Sequence, residues 1–346
     1  MYEYDKRVVL TLDAGGTNFV FSAIQGNNEM ISPIGLPAVS DNLDECLEVL
    51  VKGFDRVIAA IPVPPVAISF AFPGPADYEN GIIGDLPNFP SFRGGVALGP
   101  FLKHKYGIPV FIENDGNLFA YGEALSGALP MINRELSLAG CSREYKNLIG
   151  ITLGTGFGAG VVINKVLLTG DNGCGGDIWL MRNKKYPDML AEESVSIRAV
   201  RRVYSDLSGQ SSASLSPKDI YDIAEGIKEG DSHAAIASFN ELGIMAGAAI
   251  ASVLNVVDGL VVIGGGVAGA SKYILPALIT ELRAQLTTFS GNKFPCVSMQ
   301  VYNGEDESER ARFLSLSDSQ VVIPGTHLTT TYHQLKQTLV LCSKEG

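Results

Sequence analysis

The amino-acid sequence predicts an α/β protein of about two domains. Apolar runs rich in β-forming residues alternate with helical patterns along most of the chain, which is typical of α/β folds. Of the 346 residues, 46% are hydrophobic and 18% charged, so the chain is suited to two buried cores and is too apolar to be disordered. A glycine-rich turn joins two strand patterns at Gly15, and a second such turn occurs at Gly154. Each turn opens a block of strands and helices, which indicates a coarse duplication.

The first half of the chain alternates strand and helix patterns. Residues 8–12 and 19–24 are apolar runs on either side of a turn cluster, which predicts a β-hairpin. Residues 43–60 carry apolar side chains at helical spacing, and the proline-rich segment 62–65 ends that helix. The other elements predicted in this half are strands at 66–72 and 109–112 and helices at 96–106 and about 114–126.

The second half follows a polar stretch at 133–146 and begins with a glycine turn between two strands. The strand pattern at 148–153 runs into the glycine-rich segment 154–160, and residues 161–163 form the partner strand. The acidic residues 305–307 predict a solvated loop. The remaining predicted elements are helices near 194–204, 217–227, 233–257 and 271–286, and a strand at 260–263.

Charge and cysteine usage argue against several classes of protein. The formal net charge is −11, from 26 Lys and Arg against 37 Asp and Glu, which argues against a nucleic-acid-binding surface. The five cysteines are dispersed without a C-x-x-C pair, so we expect no zinc knuckle, no disulfide framework and a reducing, cytoplasmic location. The charged N-terminus leads directly into a strand pattern, which is not typical of a signal peptide. No run of 18 uncharged apolar residues occurs, and residues 244–257 have the composition of a buried helix, so no membrane partner is expected.

Three glycine segments carry the functional information. The pattern Gly264-x-Gly266-x-x-Gly269 follows a strand, as in dinucleotide-binding proteins, but no acidic residue lies about 20 positions further on. The segments at Gly15 and Gly154 instead lead from strand to strand, and glycine there allows backbone N–H groups to approach an anion. Two such turns are suited to hold one polyphosphate from both sides, although each is also consistent with a tight hairpin turn alone.

Polar residues flank the first glycine turn. A carboxylate such as Asp13 organises hydrated Mg²⁺, and a hydroxyl such as that of Thr17 binds a phosphate oxygen. These residues favour the phosphate-binding interpretation. The sequence contains no G-x-x-x-x-G-K-[ST] pattern, so a P-loop site is not supported.

Seven motifs occur in the order found in one family of proteins. They are, along the chain, Asp13-Ala14-Gly15-Gly16-Thr17-Asn18, Pro73-Gly74-Pro75, Leu86-Pro87-Asn88, Glu113-Asn114-Asp115-Gly116-Asn117, Gly122-Glu123, Gly154-Thr155-Gly156-Phe157-Gly158 and Gly264-Gly265-Gly266. The chain therefore resembles the ROK family of sugar kinases and repressors, within the superfamily of sugar kinases, heat-shock chaperones and actin. The resemblance extends to about residue 290.

The resemblance implies a two-lobed, actin-like fold of the ribonuclease H type, with a mixed sheet flanked by helices in each lobe and an active-site cleft between the lobes. It implies a smaller lobe at 1–118, with or without a C-terminal segment, a larger lobe at 119–330, and a C-terminal helix or tail at 331–346. The implied activity is ATP-dependent phosphorylation of a hexose hydroxyl, with glucose as the expected acceptor. The implied cofactor is Mg²⁺, without zinc, and the implied assembly is a homodimer.

The family's functional positions map onto the motifs of this chain. Asp115 corresponds to the general base that takes the proton of the sugar hydroxyl, and its predicted place at a helix N-terminus favours the ionised form. An ordinary helix cap is the alternative. The positions implied to bind the sugar are Asn88, Asn114, Asp177 and Glu192. A satisfied turn residue is the alternative for Asn88 and Asn114, and a charge at a helix N-terminus is the alternative for Glu192. Those implied to bind ATP are Asp13, which also contacts Mg²⁺ indirectly, Gly15, Gly16, Thr17, Asn18, Gly154, Thr155, Gly156, Gly264, Gly265 and Gly266.

The chain departs from the family in the segment after the second glycine turn. ROK sugar kinases usually have Gly-Glu-Ile-Gly-His where this chain has Gly176-Asp177-Ile178-Trp179-Leu180. Asp177 still accepts hydrogen bonds, but Leu180 does not, and residues 181–191 contain no Cys or His for a structural zinc. We expect Trp179 to lie in the core, with the edge of the site as the alternative.

The sequence leaves other functions open. A sugar-responsive repressor of the same family would carry a helix-turn-helix before the first glycine turn, and only 12 residues precede Asp13. A sugar-binding or actin-like relative without kinase activity is favoured by Asp177 and Leu180, and opposed by the intact Asp13 and Asp115. The acceptor is also open among glucose, fructose, mannose and N-acetylhexosamines.

Overall fold

The computed structural model describes residues 2, 4–15, 17–85, 90–315 and 318–344. The chain divides into two compact units, which we call the N-terminal unit and the C-terminal unit. The N-terminal unit comprises Met1–Leu118 and Thr169–Cys174, and the C-terminal unit comprises Phe119–Leu168 and Gly175–Gly346. The segment added to the N-terminal unit therefore comes from the middle of the chain, whereas the sequence suggested the C-terminus.

The N-terminal unit is built on one six-stranded sheet. Its elements are β1 (Val8–Ala14), β2 (Asn18–Gln25), β3 (Asn28–Glu29), β4 (Ile34–Pro37), α1 (Leu43–Ala60), β5 (Ala67–Ala71), β6 (Ala76–Asp77), β7 (Ile82–Ile83), α2 (Leu98–Tyr106), β8 (Val110–Glu113) and the start of α3 (Asp115–Leu125). The strand order is β3-β2-β1-β5-β8, with β4 paired to β2, and β6 and β7 form a separate pair. Strands β1, β5 and β8 are parallel, while β2 is antiparallel to β1. The hairpin and the helices predicted for this half are confirmed.

Helix α1 illustrates how local sequence sets these elements. The Asn42 side chain accepts a hydrogen bond from the backbone nitrogen of Glu45 (3.2 Å) and so caps the first turn. On the buried face, the Phe54 ring meets the Phe21 ring of β2 edge to face, with centroids 5.1 Å apart. A Cβ at Gly53 would lie 2.3 Å from the same Phe21 ring, so glycine allows the helix to pack closely on the sheet.

The C-terminal unit contains a second six-stranded sheet covered by helices. Its elements after α3 are α4 (Ala128–Leu138), β9 (Leu148–Leu153), β10 (Phe157–Ile163), β11 (Val166–Leu167), α5 (Ile197–Ser208), α6 (Pro217–Ala224), α7 (Ser232–Val257), β12 (Leu260–Gly264), α8 (Ser271–Leu282), β13 (Gln285–Thr287), β14 (Lys293–Pro295), β15 (Gln300–Asn303), α9 (Glu307–Leu314), β16 (Ser319–Val322), β17 (Thr329–Tyr332) and β18 (Gln337–Cys342). The strand order is β11-β10-β9-β12-β18-β15. Strands β9, β12, β18 and β15 are parallel, and β10 is antiparallel to β9.

Helix α7 is the centre of the helical layer. It packs against α5, α6 and α8, and it buries Phe239, Leu242, Ile250 and Leu254. By length and composition it would also suit a membrane span, but 56% of its most apolar 18-residue window is buried within the unit. It is therefore the core helix that its composition predicts.

The structure corrects the prediction of a C-terminal helix or tail at 331–346. Residues 337–342 form β18, which lies between β12 and β15 in the large sheet. Val340 pairs with Val261 of β12 and with Asn303 of β15. The last apolar run of the chain is thus buried inside the sheet, next to the edge strand β15, where apolar residues on both faces are covered.

Three shorter segments also differ from the prediction. The polar stretch at 133–146 begins inside α4, because Ile132 and Leu136 bury one face of that helix. Helix α8 ends at Leu282, four residues early, because the chain turns there into β13. The acidic turn caps α9, since the Asp306 side chain accepts a hydrogen bond from the backbone nitrogen of Glu309 (2.9 Å).

Candidate active site

The first glycine turn lies between β1 and β2. A Cβ at Gly15 would be 2.9 Å from the backbone oxygen of Asn18, so the turn requires glycine there. The side chains of Asp13, Thr17 and Asn18 are exposed. Within the described part of the chain, the Asp13 carboxylate forms no hydrogen bond or ion pair and is available to a ligand. Gly16 lies outside the described residues.

The predicted base follows the last parallel strand of the same sheet. Asp115 is the first residue of α3, is exposed, and accepts a hydrogen bond only from the Gly116 backbone nitrogen (2.8 Å) among the described residues. The helix is capped by Asn114, whose Oδ1 accepts hydrogen bonds from the backbone nitrogens of Gly116 (2.9 Å) and Asn117 (3.3 Å). The cap that was the alternative role of Asp115 thus belongs to Asn114, and the Asp115 carboxylate is left facing solvent.

The sheet register brings the first turn and the base to one edge. Asp13 of β1 pairs with Ala71 of β5, and Ala71 pairs with Glu113 of β8. Since neighbouring strands lie about 4.8 Å apart, Asp13 and Glu113 are roughly 10 Å apart. Asp115 comes two residues after Glu113. The carboxyl ends of parallel strands are where α/β sheets present functional groups.

Two residues that the sequence did not assign support Asn114. The Glu113 carboxylate Oε1 accepts hydrogen bonds from the Asn114 backbone nitrogen (2.8 Å) and from Asn117 Nδ2 (3.1 Å). Asn117 is buried, and its Oδ1 has no hydrogen-bond partner in the described part of the chain. A buried acceptor without a partner is costly, so this atom is suited to a ligand hydroxyl or a water. No helical spacing signals this contact in the sequence, because Glu113 ends β8 whereas Asn117 lies in α3.

The second glycine turn, between β9 and β10, contains glycines of two kinds. A Cβ at Gly154 would meet nothing within 4 Å, whereas one at Gly156 would lie 2.5 Å from Glu192 Oε2. The Gly154 backbone nitrogen donates to the Gly156 oxygen (3.1 Å), and the Gly154 oxygen accepts from the nitrogen of Ile197 (3.0 Å), where α5 begins. Thr155 at the tip is exposed. Backbone hydrogen bonds thus fix the turn, while its tip at Thr155 is exposed to solvent.

Glu192 supports this turn from a short 3-10 helix. Its Oε2 accepts a hydrogen bond from the backbone nitrogen of Phe157 (3.1 Å), and its Oε1 accepts from Arg198 Nη2 (3.2 Å). The Glu192 carboxylate, as the main cause, raises the pKa of the Arg198 guanidinium above its ordinary value. The predicted sugar ligand is therefore also fixed to the predicted phosphate turn.

The third glycine segment lies at the same sheet edge as the second. Gly264 of β12 pairs with Thr152 of β9, which is followed by the second turn. A Cβ at Gly264 would overlap the Phe119 ring at 2.5 Å, and one at Gly265, where φ is +88°, would lie 2.5 Å from the Leu153 oxygen. A Cβ at Gly266 would meet nothing within 4 Å. The first two glycines are needed for packing, and the third is open to a ligand.

The divergent segment after β10 is exposed. Trp179 Nε1 donates a hydrogen bond to Asp177 Oδ1 (3.1 Å), and the tryptophan is 37% exposed, so its expected place in the core is wrong. Leu180 is also exposed, at 54%. Gly176, with φ of +92°, brings this segment against the Ala159 oxygen of β10. Asn88, the remaining predicted sugar ligand, lies outside the described residues.

Metal ligands are sparse in the structure. Among the described residues, no three or more His, Cys, Asp or Glu side chains are grouped to hold a metal ion. The lone Asp13 carboxylate is suited to contact the hydration shell of an ion that arrives with a nucleotide, and not to enclose one.

Comparison with known proteins tests the family resemblance independently of the motifs and the glycine turns. The sequence pattern of the ROK family matches residues 9–308. The chain belongs to the ROK family. The crystal structure of a glucokinase from Parabacteroides distasonis is 58% identical in sequence, covers 100% of this chain and 95% of its own, and superimposes with a TM-score of 0.92.

Two glucokinases from other organisms are more distantly similar to the chain. A glucokinase of Thermotoga maritima is 26% identical over 290 residues, which is 79% of this chain and 86% of the relative. A ROK family glucokinase from Streptomyces griseus, solved with glucose and AMPPNP, is 20% identical with a TM-score of 0.59, and the match covers 80% of this chain and 88% of that one. The predicted family and the predicted α/β fold class are confirmed.

Proposed function

We propose that this ROK protein is an ATP-dependent hexose kinase that converts glucose to glucose 6-phosphate. The observation that carries the proposal is the sheet edge of the N-terminal unit, where β1 ends in the glycine turn after Asp13 and β8 ends in Asn114 and Asp115. A phosphate-binding turn and a proton acceptor at one edge are what phosphoryl transfer to a hydroxyl needs. The 58% identity to a glucokinase over the whole chain supports glucose as the acceptor.

Asp115 is the proposed general base. It accepts the proton of the sugar 6-hydroxyl while that oxygen attacks the γ-phosphorus of ATP, and the bond from the γ-phosphorus to the β–γ bridging oxygen breaks, releasing ADP. Its exposed carboxylate suits this role because Asn114 takes over the capping of α3. Asn114 Nδ2 has no hydrogen-bond acceptor among the described residues, so it can donate to a sugar hydroxyl while Oδ1 caps the helix.

The glycine segments are the proposed ATP site. In the first turn, Gly15, Gly16, Thr17 and Asn18 bind phosphate oxygens, and Asp13 holds a water of the Mg²⁺ shell. In the second, the backbone at Gly154, Thr155 and Gly156 faces the phosphates, and Gly264, Gly265 and Gly266 lie under the adenosine. Mg²⁺, which enters with the nucleotide, neutralises charge on the phosphates. The open space at Gly154 and Gly266 supports this assignment, since packing against the described residues does not require glycine at either position.

The sugar is proposed to be held by Asn88, Asn114, Asp177 and Glu192. Asp177 Oδ1 accepts from Trp179, which leaves Oδ2 for a sugar hydroxyl. Leu180 offers an apolar surface where ROK sugar kinases usually have histidine. Fructose, mannose or an N-acetylhexosamine is therefore the alternative acceptor, and a sugar-binding protein without turnover is the alternative function.

We further propose that the protein is cytoplasmic and a homodimer.

A coupled ADP-release assay with a panel of hexoses tests the proposal. We expect glucose to give the highest kcat/KM, with turnover dependent on Mg²⁺ and on ATP. If another sugar gave the highest kcat/KM, the proposed kinase activity would stand and that sugar would replace glucose as the acceptor. Sugar binding by calorimetry without ADP release from any hexose would overturn the kinase proposal.

A further inference from the structure

Residues 181–191 form a closed loop between Asp177 and Glu192, the two carboxylates of the proposed sugar site. The Ala191 backbone nitrogen donates a hydrogen bond to the Met181 oxygen (2.7 Å), and an antiparallel bridge follows inside the loop. The two ends of the segment therefore lie side by side. Asp177 comes four residues before the first end, and Glu192 comes directly after the last. We call this segment the 181–191 loop.

Strand β10 supports the chain on both sides of the loop. Glu192 accepts a hydrogen bond from the backbone nitrogen of Phe157 (3.1 Å). Gly176, next to Asp177, packs so closely on β10 that a Cβ there would lie 3.1 Å from the Ala159 oxygen. Phe157 and Ala159 are two residues apart, which is about 7 Å along a strand. The two carboxylates thus follow from neighbouring points of one strand, and the loop between them decides how they face each other.

Asn183 is the hydrogen-bonding centre of the loop. Its side chain is buried, with the residue only 2% exposed. Its Oδ1 accepts from the backbone nitrogens of Lys185 and Tyr186 (3.0 Å each), and its Nδ2 donates to Ser194 Oγ (2.8 Å) and to the Leu190 oxygen (3.3 Å). These four bonds use the full capacity of an amide. One buried side chain therefore connects the tip of the loop, its closing end and the segment that follows it.

Two lysines attach the loop to the helical layer. Lys184 Nζ lies 2.6 Å from Glu281 Oε1 of α8, and Lys185 Nζ lies 2.7 Å from Glu241 Oε2 of α7. The Glu241 carboxylate, as the main cause, raises the pKa of Lys185 above its ordinary value. Both lysine side chains are exposed, and exposed ion pairs are weak and screened by salt. The shape of the loop therefore depends mainly on its buried asparagine.

We propose that Asn183 is a positioning residue of the sugar site, which sets the separation of Asp177 and Glu192 by keeping the 181–191 loop closed. This inference rests on the proposed function, because it takes these two carboxylates as sugar ligands. Two acceptors bind two hydroxyls of one rigid sugar tightly only when they are held at the matching distance beforehand. Asn183 is buried and acts through the two carboxylates, without touching the sugar itself.

Calorimetric titration with the hexose that gives the highest kcat/KM tests Asn183. We expect the Kd of Asn183→Ala for that hexose to be about tenfold or more above wild type, because buried hydrogen-bonding groups lose their partner and the loop rearranges. In an Asp177→Ala background, the same substitution should raise the Kd at most about threefold. A loss of stability alone would not produce this dependence on Asp177.

Asn133→Ala is the matched control. Asn133 of α4 also holds a loop of the C-terminal unit, since its side chain donates to the Tyr145 oxygen and accepts from the Tyr145 nitrogen (2.8 Å each). Its loss should lower the Tm and leave the Kd for the hexose unchanged.

A second variant, Lys184→Gln/Lys185→Gln, tests the same loop if Asn183→Ala does not fold. Both lysines are exposed, so the fold should be kept. We expect the Kd for the hexose to rise about threefold at low salt, and the difference from wild type to shrink in about 1 M NaCl, where exposed ion pairs are screened. The hexose is uncharged, so this salt effect reports on the protein.

The possible failures are distinguishable. A wild-type Kd in Asn183→Ala, or in the lysine variant if Asn183→Ala does not fold, would overturn the role of the loop and leave the proposed kinase in place. An equal rise of the Kd in Asn133→Ala, or an undiminished effect in the Asp177→Ala background, would also overturn it. A wild-type chain that binds no hexose would remove the proposed sugar site together with this inference.

Discussion

Glu192 Oε2 lies 3.1 Å from the backbone nitrogen of Phe157 and accepts its hydrogen bond. One carboxylate therefore joins the proposed sugar site to the turn that is proposed to hold ATP phosphates. Its other oxygen accepts from Arg198 Nη2, so the carboxylate is fixed from two sides. In the proposed site, we expect this one side chain to couple the binding of the two substrates.

Replacing Glu192 should impair both substrates together. In Glu192→Gln the amide presents a donor to either Phe157 or Arg198, so one of the two bonds is lost. A hydrogen bond to a charged group is worth about 1.5–3 kcal/mol, so we expect the KM for ATP and the KM for sugar each to rise by about tenfold or more. Steady-state kinetics with each substrate varied in turn measures this. Glu193→Gln is the control, since Glu193 contacts Arg198 but not the turn. An unchanged KM for ATP in Glu192→Gln would contradict the coupling.

Alanine substitutions separate structural glycines from ligand-binding ones. Gly154→Ala and Gly266→Ala place a methyl group in open space, so the Tm should stay within a few degrees while the KM for ATP rises about tenfold or more. Gly265→Ala should lower the Tm instead, because φ there is +88° and the Leu153 oxygen is 2.5 Å away. Gly122→Ala, also in open space, is the control. Wild-type KM values in the first two variants would remove the second and third glycine segments from the ATP site.

Trp179 should act on the sugar through Asp177. Trp179→Phe removes the indole donor and keeps an aromatic ring, so the KM for sugar should rise about three- to tenfold with little change in kcat, as for loss of one hydrogen bond. In an Asp177→Ala background the same change should have almost no further effect on KM, which a double-mutant cycle measures. Additive effects of the two substitutions would show that Trp179 acts independently of Asp177.

The cysteines should differ in reactivity because they differ in burial. Burial raises the pKa of Cys46 to about 11 and, with the Glu305 carboxylate as a lesser cause, the pKa of Cys342 to about 11. Their thiolate fraction at pH 8 is therefore small and should increase about tenfold per pH unit up to that pKa. Cys174 is exposed. Alkylation of the native protein at pH 8, followed by mass spectrometry, should modify Cys174 first. Equal labelling of Cys46 would contradict the buried environment.

Local signals made the N-terminal half of the fold predictable from the sequence. The strand pattern around Gly15 and the helix after Asn42 depend on residues within one turn or hairpin of each other. Strand β18 was not predictable, because its pairing of Val340 with Val261 joins residues far apart in the chain. An apolar run that short is equally consistent with a helix until its neighbours are known.

The candidate site, too, was predictable from the sequence only where it depends on neighbouring residues. The sequence indicates a polar pair at the start of a helix, but whether Asn114 or Asp115 caps that helix depends on side-chain placement. The bond from Phe157 to Glu192 joins residues 35 positions apart, and no spacing rule signals it. Trp179 was misplaced because its size predicts burial, whereas its partner is the exposed carboxylate Asp177.

The central claim is that Asp115 takes the proton of the sugar hydroxyl. The most direct measurement is the kcat of Asp115→Asn in the coupled ADP-release assay, with the Kd for sugar measured by calorimetry on the same sample. Asp41→Asn, at another exposed aspartate of the N-terminal unit, is the control. We predict a kcat lower by about 10² or more with the Kd for sugar nearly unchanged, because general-base catalysis contributes on that scale. A kcat within about tenfold of wild type would contradict the account.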